Sequence, residues 1–328
     1  MKTVLTLLTE AGERFLSGET MSQELGVTRA AVWKQIKKLR DTGYDIEAVT
    51  NLGYRLRAVP EKLDQNELCS LLEGCPWRDR VTVLETVDST NNYLKRQALS
   101  GCAHGTVVLS DEQTGGRGRQ GRSFLSPRGT GIYLSVLLRP DCAPSSLSHV
   151  TAMAAVAACD AVEETVGVRP GIKWTNDLVL ESKKICGILT ELSVEWESSS
   201  LEYLIIGIGI NCNQKETDFP EDLRQKAASI AQITGKSVDR TKLAAALIRS
   251  LERLNREIFT EKSRWIAQYA RDCITIGRPV KVLRGSSERF GTATGIDENG
   301  ALLVRYDSGE TGVVFTGEVS VRGLEGYL

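Results

Sequence analysis

The stretch "EQTGGRGRQGRSFLSPRGTG", residues 112–131, decides the fold class, because its glycines lead into a strand-like run and not into a helix. Gly116, Gly118 and Gly121 satisfy GxGxxG. Gly116 through Ser123 nearly satisfies the phosphate-loop pattern, with Arg122 where Lys belongs. Both motifs need a helix directly after the glycines, so that its N-terminal amides hold phosphate. Here Pro127, Gly129 and Gly131 come next, and then the strand-like run "GIYLSVLL". The segment therefore predicts neither a dinucleotide-binding domain nor a phosphate-loop domain. Residues 115–122 instead carry four glycines (115, 116, 118, 121) and three arginines (117, 119, 122) with no acid. Glycines let backbone amides approach a ligand closely, and guanidinium groups bind carboxylate or phosphate through paired hydrogen bonds. Three clustered cations call for an anionic ligand, and such a loop is expected to order when that ligand arrives. A surface linker is the plain alternative.

Outward from this loop, residues 61–270 read as α/β. "VTVLETV", "TVVLS", "GIYLSVLL", "IKW", "LVL", "ICGILTELSVEW" and "YLIIGIGIN" are strand-like. Leu147, Val150, Ala154, Ala157, Ala161 and Val162 mark a buried helix over 145–167. Leu243, Leu247, Leu251, Leu254 and Ile258 mark another over 240–258. "KWTND" places Lys173, Asn176 and Asp177 at a strand-to-loop transition, and "KKICGILTE" places Lys184 at a strand start with Gly187 open to close approach. Taken singly, these lysines read as solvated strand ends. With the loop they read as a phosphate clamp of cations, one carboxylate and amide side chains. "DSTNN" fits a helix cap by Asp88 or Ser89 equally well, and "GIGIN" fits a buried strand ending at Asn211.

Residues 1–60 form a short helical module closed by a hairpin. "GETMSQELGVTRAAVWKQIKKLRDTG" reads helix, turn, helix, with Thr20 capping the first, Gly26 turning and Thr28 capping the second. Val32, Ile36 and Leu39 make the buried face of that second helix, and Arg29, Trp33, Lys37 and Arg40 lie elsewhere on it. From Thr28 to Arg40 there are five cations and no acid. The hairpin around Asn51-Leu52-Gly53 can act as a wing, with Arg55 and Arg57 near a phosphate backbone. A solvated charged face on a protein-interaction module is the alternative; turn, basic helix and hairpin together favour DNA, with Thr28, Arg29, Trp33, Lys34, Lys37 and Arg55 as contacts. The module carries 9 Lys+Arg against 7 Asp+Glu, so affinity is expected to rest on placement and dimerisation rather than bulk charge. Residues 271–328 switch to short strands joined by Glu298-Asn299-Gly300 and Asp307-Ser308-Gly309 turns, a small β-barrel-like module.

The whole chain of 328 residues has 41 Lys+Arg against 42 Asp+Glu, a net charge of −1, which excludes a histone-like basic binder and an acidic tail as whole-chain descriptions. No stretch of about 18 apolar residues is found, so no segment is expected to span a membrane, and no signal peptide is read at the N-terminus. Eight scattered cysteines without a CxxC pair, and only two histidines (His104, His149), argue for a reducing cytoplasm and free thiols and against zinc or a Ser-His-Asp hydrolase. Both histidines read as surface or satisfied structural residues.

"DSTN" (88–91), "GRGRQGR" (116–122), "KWTND" (173–177), "KICGILTE" (184–191) and "GIGIN" (207–211) stand in the order and spacing of the biotin protein ligases. With its N-terminal module the chain resembles, over its whole length, the bifunctional bacterial form that is also a biotin-operon repressor. The resemblance implies a winged helix-turn-helix at 1–60, a central α/β catalytic domain with a mixed sheet at 61–270, and a small SH3-like β-barrel at 271–328. It implies formation of biotinyl-5′-AMP from biotin and ATP, then transfer of biotin to a lysine of a biotin carboxyl carrier domain. Biotin would meet Ser89, Thr90, Asn91, Gln113, Arg117, Gly118, Arg119 and Lys184. ATP would meet Arg119, Arg122, Phe124, Lys173, Asn176, Lys184 and Asn211. Arg119, Lys173, Lys184 and Asp177 would carry catalysis, with Mg²⁺ near Asp177. A homodimer promoted by the adenylate would bind operator DNA. Phe124 stands where the family often has Trp, Thr175 where Pro is common, and Gln120 where Arg or Lys is frequent; these weaken the local geometry rather than the assignment. A lipoate-protein ligase, or a regulator that senses biotin without ligating it, are the competing readings.

Overall fold

The computed structural model describes residues 2–41, 44–58, 62–195, 200–315 and 319–323. The chain divides into two compact units, Met1–Lys62 with Arg128–Thr130, and Leu63–Pro127 with Gly131–Leu328.

In the first unit, α1 (Val4–Ala11), α2 (Gly18–Leu25) and α3 (Arg29–Asp41) precede the antiparallel hairpin β1 (Asp45–Val49) and β2 (Gly53–Ala58). Ser17, not Thr20, caps α2: in an extended conformation its hydroxyl accepts the Thr20 amide at 3.0 Å, which starts the helix three residues before the expected cap. Gly26 ends α2 in the left-handed region (φ 64°), where glycine carries no Cβ penalty. Thr28 caps α3 as expected, accepting the Ala31 amide at 3.2 Å. Val32 and Ile36 are buried with Val4, Leu7, Leu8, Met21 and Ile46, and Leu39 packs beside them. Leu16 pairs with Tyr54 through two backbone bonds of 2.9 and 2.8 Å, so the segment before α2 lies along the hairpin. Gly53 permits this, since a Cβ there would stand 2.2 Å from the Leu16 carbonyl oxygen.

In the second unit, α4 (Gln65–Leu71), β3 (Val81–Leu84), α5 (Thr90–Leu99), β4 (Thr106–Ser110), β5 (Gly131–Leu138), α6 (Val150–Val166), β6 (Gly171–Lys173), β7 (Asp177–Leu180), β8 (Lys183–Val194) and β9 (Leu201–Asn211) lead to α7 (Glu221–Arg224), α8 (Ile230–Thr234), α9 (Arg240–Glu257) and α10 (Lys262–Asp272). The strands form one seven-stranded sheet, order β3-β4-β5-β9-β8-β7-β6, mixed because only β3 and β4 run parallel. Period-two alternation gives it two faces. Ile132, Leu134, Val136, Ile206, Ile208 and Ile210 are buried in the main core, which also takes Met153 and Ala157 of α6 and Leu243 and Leu247 of α9. The other face carries Leu137 and Ile205 beneath Leu94 and Ala98 of α5, and beyond them a polar floor.

By length and composition alone Pro144–Val166 could cross a membrane, although Asp160, Glu163 and Glu164 interrupt its apolar run. It is a core helix: Val150, Met153, Ala157 and Val162 are all buried. After α10, β10 (Pro279–Arg284), β11 (Ser287–Ile296), β12 (Leu302–Tyr306), β13 (Thr311–Val314) and β14 (Val319–Gly323) make a separate five-stranded antiparallel sheet, order β13-β12-β11-β10-β14. All eight cysteines are free thiols. The histidines are structural: His104 accepts the Arg139 amide at 2.9 Å, and buried His149 meets the Ile258 carbonyl at 2.9 Å.

Candidate active site and DNA-reading helix

Strand register assembles the floor of the site. Lys173 pairs with Asp177, Asp177 with Gly187, Gly187 with Gly209 and Gly209 with Tyr133, so motifs far apart in sequence form one row across four strand pairs. The next row joins Leu189, Gly207 and Ser135. Two glycines of β9 are open seats. At Gly209 a Cβ would stand 2.5 Å from the Phe124 ring, and at Gly207 only 2.1 Å from Asn91 Oδ1. The loop aromatic and the helix amide thus press directly onto backbone, and Phe124 also meets the Tyr133 ring edge-on at 6.5 Å.

Two polar clusters flank this floor. In the first, Lys184 Nζ lies 2.5 Å from Asp177 Oδ1. Arg119 Nη1 donates to Thr175 Oγ1 at 3.1 Å and to Asn176 Oδ1 at 2.9 Å, and Asn176 Nδ2 donates to the Ile188 carbonyl at 2.9 Å. Burial pulls the Arg119 guanidinium down from its ordinary value, while Asp177 raises it. At such a height an arginine stays charged, so the effect of burial is a cation held with little water around it. The carrying loop is itself braced: Tyr269 of α10 donates its hydroxyl to the Thr175 carbonyl (2.9 Å), and Trp174 Nε1 donates to the Gly300 carbonyl in the turn between β11 and β12 (3.0 Å).

In the second cluster, Gln113 Oε1 accepts from the Thr90 amide (2.9 Å) and hydroxyl (3.1 Å), and Gln113 Nε2 donates to Ser126 Oγ (2.8 Å). Ser135 Oγ bonds Thr90 Oγ1 (2.7 Å) and Asn91 Oδ1 (2.6 Å). Buried Ser89 stands at the N-cap position of α5 but makes no side-chain cap bond, so capping does not account for it. Asp88 is engaged by Arg96 at 2.7 Å.

The structure thus brings Ser89, Thr90, Asn91 and Gln113 to one side of the glycine floor, and Arg119, Asn176, Asp177 and Lys184 to the other, with Lys173 in register beside Asp177 and Phe124 between. Three expected side chains fall elsewhere. Arg117, expected on the ligand, spends its guanidinium on Asn92 Oδ1 (2.9 Å) and Glu191 Oε1 (3.2 Å). Asn211 donates to the Ala228 carbonyl (3.2 Å) and accepts from Gln214 (3.3 Å), so its amide holds the segment after β9. Arg122 is exposed at the loop edge. The loop, expected to order only with ligand, is here folded on itself: the Gly118 amide bonds the Arg122 carbonyl (2.7 Å) and the Phe124 amide the Gly116 carbonyl (2.9 Å). Ser126, Ser135, Lys95, Glu191 and Tyr269 carry contacts that sequence reading missed. The available signal was a lone serine inside the apolar run "GIYLSVLL" and a glutamate closing "KICGILTE". Among the described residues no group of three His, Cys, Asp or Glu could hold a metal, and Asp177 offers one carboxylate already engaged by Lys184.

In the first unit, Thr28 at the cap of α3 and Arg29, Trp33, Lys34 and Lys37 on it are all exposed. Trp33 is 58% exposed, with Lys37 Nζ 5.8 Å from its ring centre. Arg55 departs from the expected wing contact. It is 16% exposed and bound by Glu47 (2.7 Å) and Glu13 (3.3 Å) over the Phe15 ring, because the hairpin brings carboxylates from separate segments onto it. Arg57 shares Glu47 at 2.8 Å.

A profile of the biotin/lipoate A/B protein ligase family matches residues 83–211, an HTH domain profile matches residues 1–55, and a biotin protein ligase C terminal domain profile matches residues 275–322. The solved structure of biotin protein ligase from Aquifex aeolicus in complex with biotin and ATP superposes with a TM-score of 0.64 at 31% identity, covering 74% of this chain and 99% of that one. The bifunctional ligase/repressor BirA of Bacillus subtilis (strain 168) is 36% identical over 313 residues, 94% of each chain. That of Escherichia coli (strain K12) is 32% identical over 320 residues, 96% of this chain and 95% of its own. The chain belongs to the bifunctional biotin ligase/repressor family.

Proposed function

We propose that this chain is an ATP-dependent biotin protein ligase and a biotin-responsive repressor of biotin synthesis or transport genes. A biotin carboxylate oxygen attacks the α-phosphorus of ATP, pyrophosphate leaves, and the biotinyl-adenylate so formed is then attacked at its acyl carbon by a carrier-domain lysine, releasing AMP. The observation that carries the reading is the placement of Lys184, Arg119 and Asn176 on one side of a glycine floor and the Gln113–Thr90 amide–hydroxyl chain on the other. The first step brings two anions together. Arg119, Lys184 and Lys173 offset that repulsion, and positioning supplies the rest, with no covalent enzyme intermediate. Ser89, Thr90, Asn91, Gln113 and the Arg117–Gly118 backbone take the polar end of biotin; Phe124 covers the nucleotide. Mg²⁺ needs only one or two protein carboxylates when phosphates complete its shell; Asp177 fits that minor part and no dedicated metal site.

Residues 1–60 form the DNA-binding domain, 61–270 the catalytic domain and 271–328 the small β domain. The partners are a biotin carboxyl carrier domain, operator DNA and, on adenylate binding, a second copy of the chain; the setting is cytoplasmic. Pyrophosphate release on adding biotin and MgATP tests the enzyme, with lipoate as competitor. Release driven by biotin and untouched by equimolar lipoate is expected; no release, or a preference for lipoate, overturns the reading.

A further inference from the structure

Glu191 borders the second polar cluster through Asn91 and also links the loop to the scaffold. It stands on β8 four residues from Gly187, on the same face, and its side chain is 18% exposed. Its carboxylate accepts hydrogen bonds from Asn91 Nδ2 (2.8 Å) and Lys95 Nζ (2.7 Å) of α5 and forms an ion pair with Arg117 Nη1 (3.2 Å) of the glycine loop. Arg117 also donates to Asn92 at 2.9 Å. Of the loop's three arginines, Arg119 donates to Asn176, Arg122 is exposed without such a tie to α5, and Arg117, itself 43% exposed, is the one tied to α5 and β8.

Resting on the ligase reading, we propose that Glu191 is a positioning residue: through Arg117 it latches the loop 115–122 closed over the site, so retention of the acyl-adenylate depends on a carboxylate that never touches it. The same carboxylate fixes the Asn91 amide, which continues through Ser135 to Thr90 and Gln113. Loop closure and the orientation of the polar cluster are therefore set together.

The test compares Glu191→Gln, Arg117→Ala, Arg117→Lys and the double variant Arg117→Ala/Glu191→Gln in the full-length protein. Without ligand, trypsin cutting after Arg119 and Arg122 reads loop opening. With biotin and MgATP, the release rate of the adenylate reads retention, and KM for biotin is followed apart from kcat. Each neutralising variant is expected to speed cleavage and adenylate release about tenfold and to raise KM more than it lowers kcat. The double variant should be no worse than either single, and Arg117→Lys should recover most of the loss. Wild-type cleavage and release in Arg117→Ala, or effects that multiply in the double variant, overturn the latch. Cleavage without ligand remains informative even if biotin activation itself is absent, so the two proposals fail separately.

Discussion

Arg119 and the two seat glycines make the sharpest claims at the level of single residues. Arg119 joins the glycine loop to Thr175 and Asn176 from a site where burial leaves its charge poorly solvated, which suits a residue that meets developing phosphate charge. Arg119→Gly should keep part of the activation step and release the adenylate faster, on the order of 10–100-fold given a charged hydrogen-bonding group of about 1.5–3 kcal/mol; unchanged release in a dissociation assay would contradict this role. Gly207→Ala would set a methyl 2.1 Å from Asn91 Oδ1. Displacing that amide breaks its bonds to Ser135 and Glu191, at a cost of about 1–3 kcal/mol from overpacking, read as a lower midpoint in denaturant. Burial pushes the Glu191 carboxyl up, but hydrogen bonds from Lys95 and Asn91 outweigh this and hold it below the ordinary range. A carboxyl depressed in the folded state adds stability above its unfolded pKa, and that stability is lost as pH falls through the folded value. Wild type should accordingly lose stability more steeply than Glu191→Gln as pH drops below about 4.3; parallel acid melts would refute the pairing.

Among the elements, the β6–β7 turn and α3 depend most on neighbours. The turn bearing Thr175 and Asn176 is held by α10 and, through Trp174, by the β11–β12 turn. Tyr269→Phe removes a hydroxyl from a buried carbonyl and should cost about 1–3 kcal/mol, raising KM for ATP through a loosened turn; an unaltered melting point would show that water replaces the bond. On α3 the exposed Lys34 and Lys37 should each contribute one phosphate contact, so replacing either with Ala should flatten the salt dependence of DNA binding by about 0.9 in log–log slope. The glycine-rich loop and the Thr28-capped α3 were legible in sequence because each signal is local: glycine and charge clustering, or a cap followed by helical spacing. Arg55 and Glu191 were not, because their roles arise only when strand pairing carries Glu47 or Arg117 to them. Thr20 misled because the hydroxyl that caps α2 belongs to Ser17, and the two lie within the same turn.

For the molecule as a whole, near-neutral charge conceals two basic clusters built in separate compact units, α3 and the loop with Lys173 and Lys184, which the proposed function assigns to DNA and to ATP. At a screening length of about 8 Å in physiological salt, acids elsewhere cancel neither. Removal of residues 1–60 should abolish operator binding and leave pyrophosphate release intact; loss of both would show that the units do not function separately. The seven-stranded order and the register that align Lys173, Asp177, Gly187 and Gly209 could not be read from strand patterns, since those give strands but not their neighbours. Ligation itself is read most plainly by mass spectrometry of a biotin carboxyl carrier domain incubated with the purified protein, biotin and MgATP. One biotinyl group on a single carrier lysine is expected, dependent on ATP and strongly reduced by Lys184→Ala; a carrier left unmodified would contradict the ligase reading.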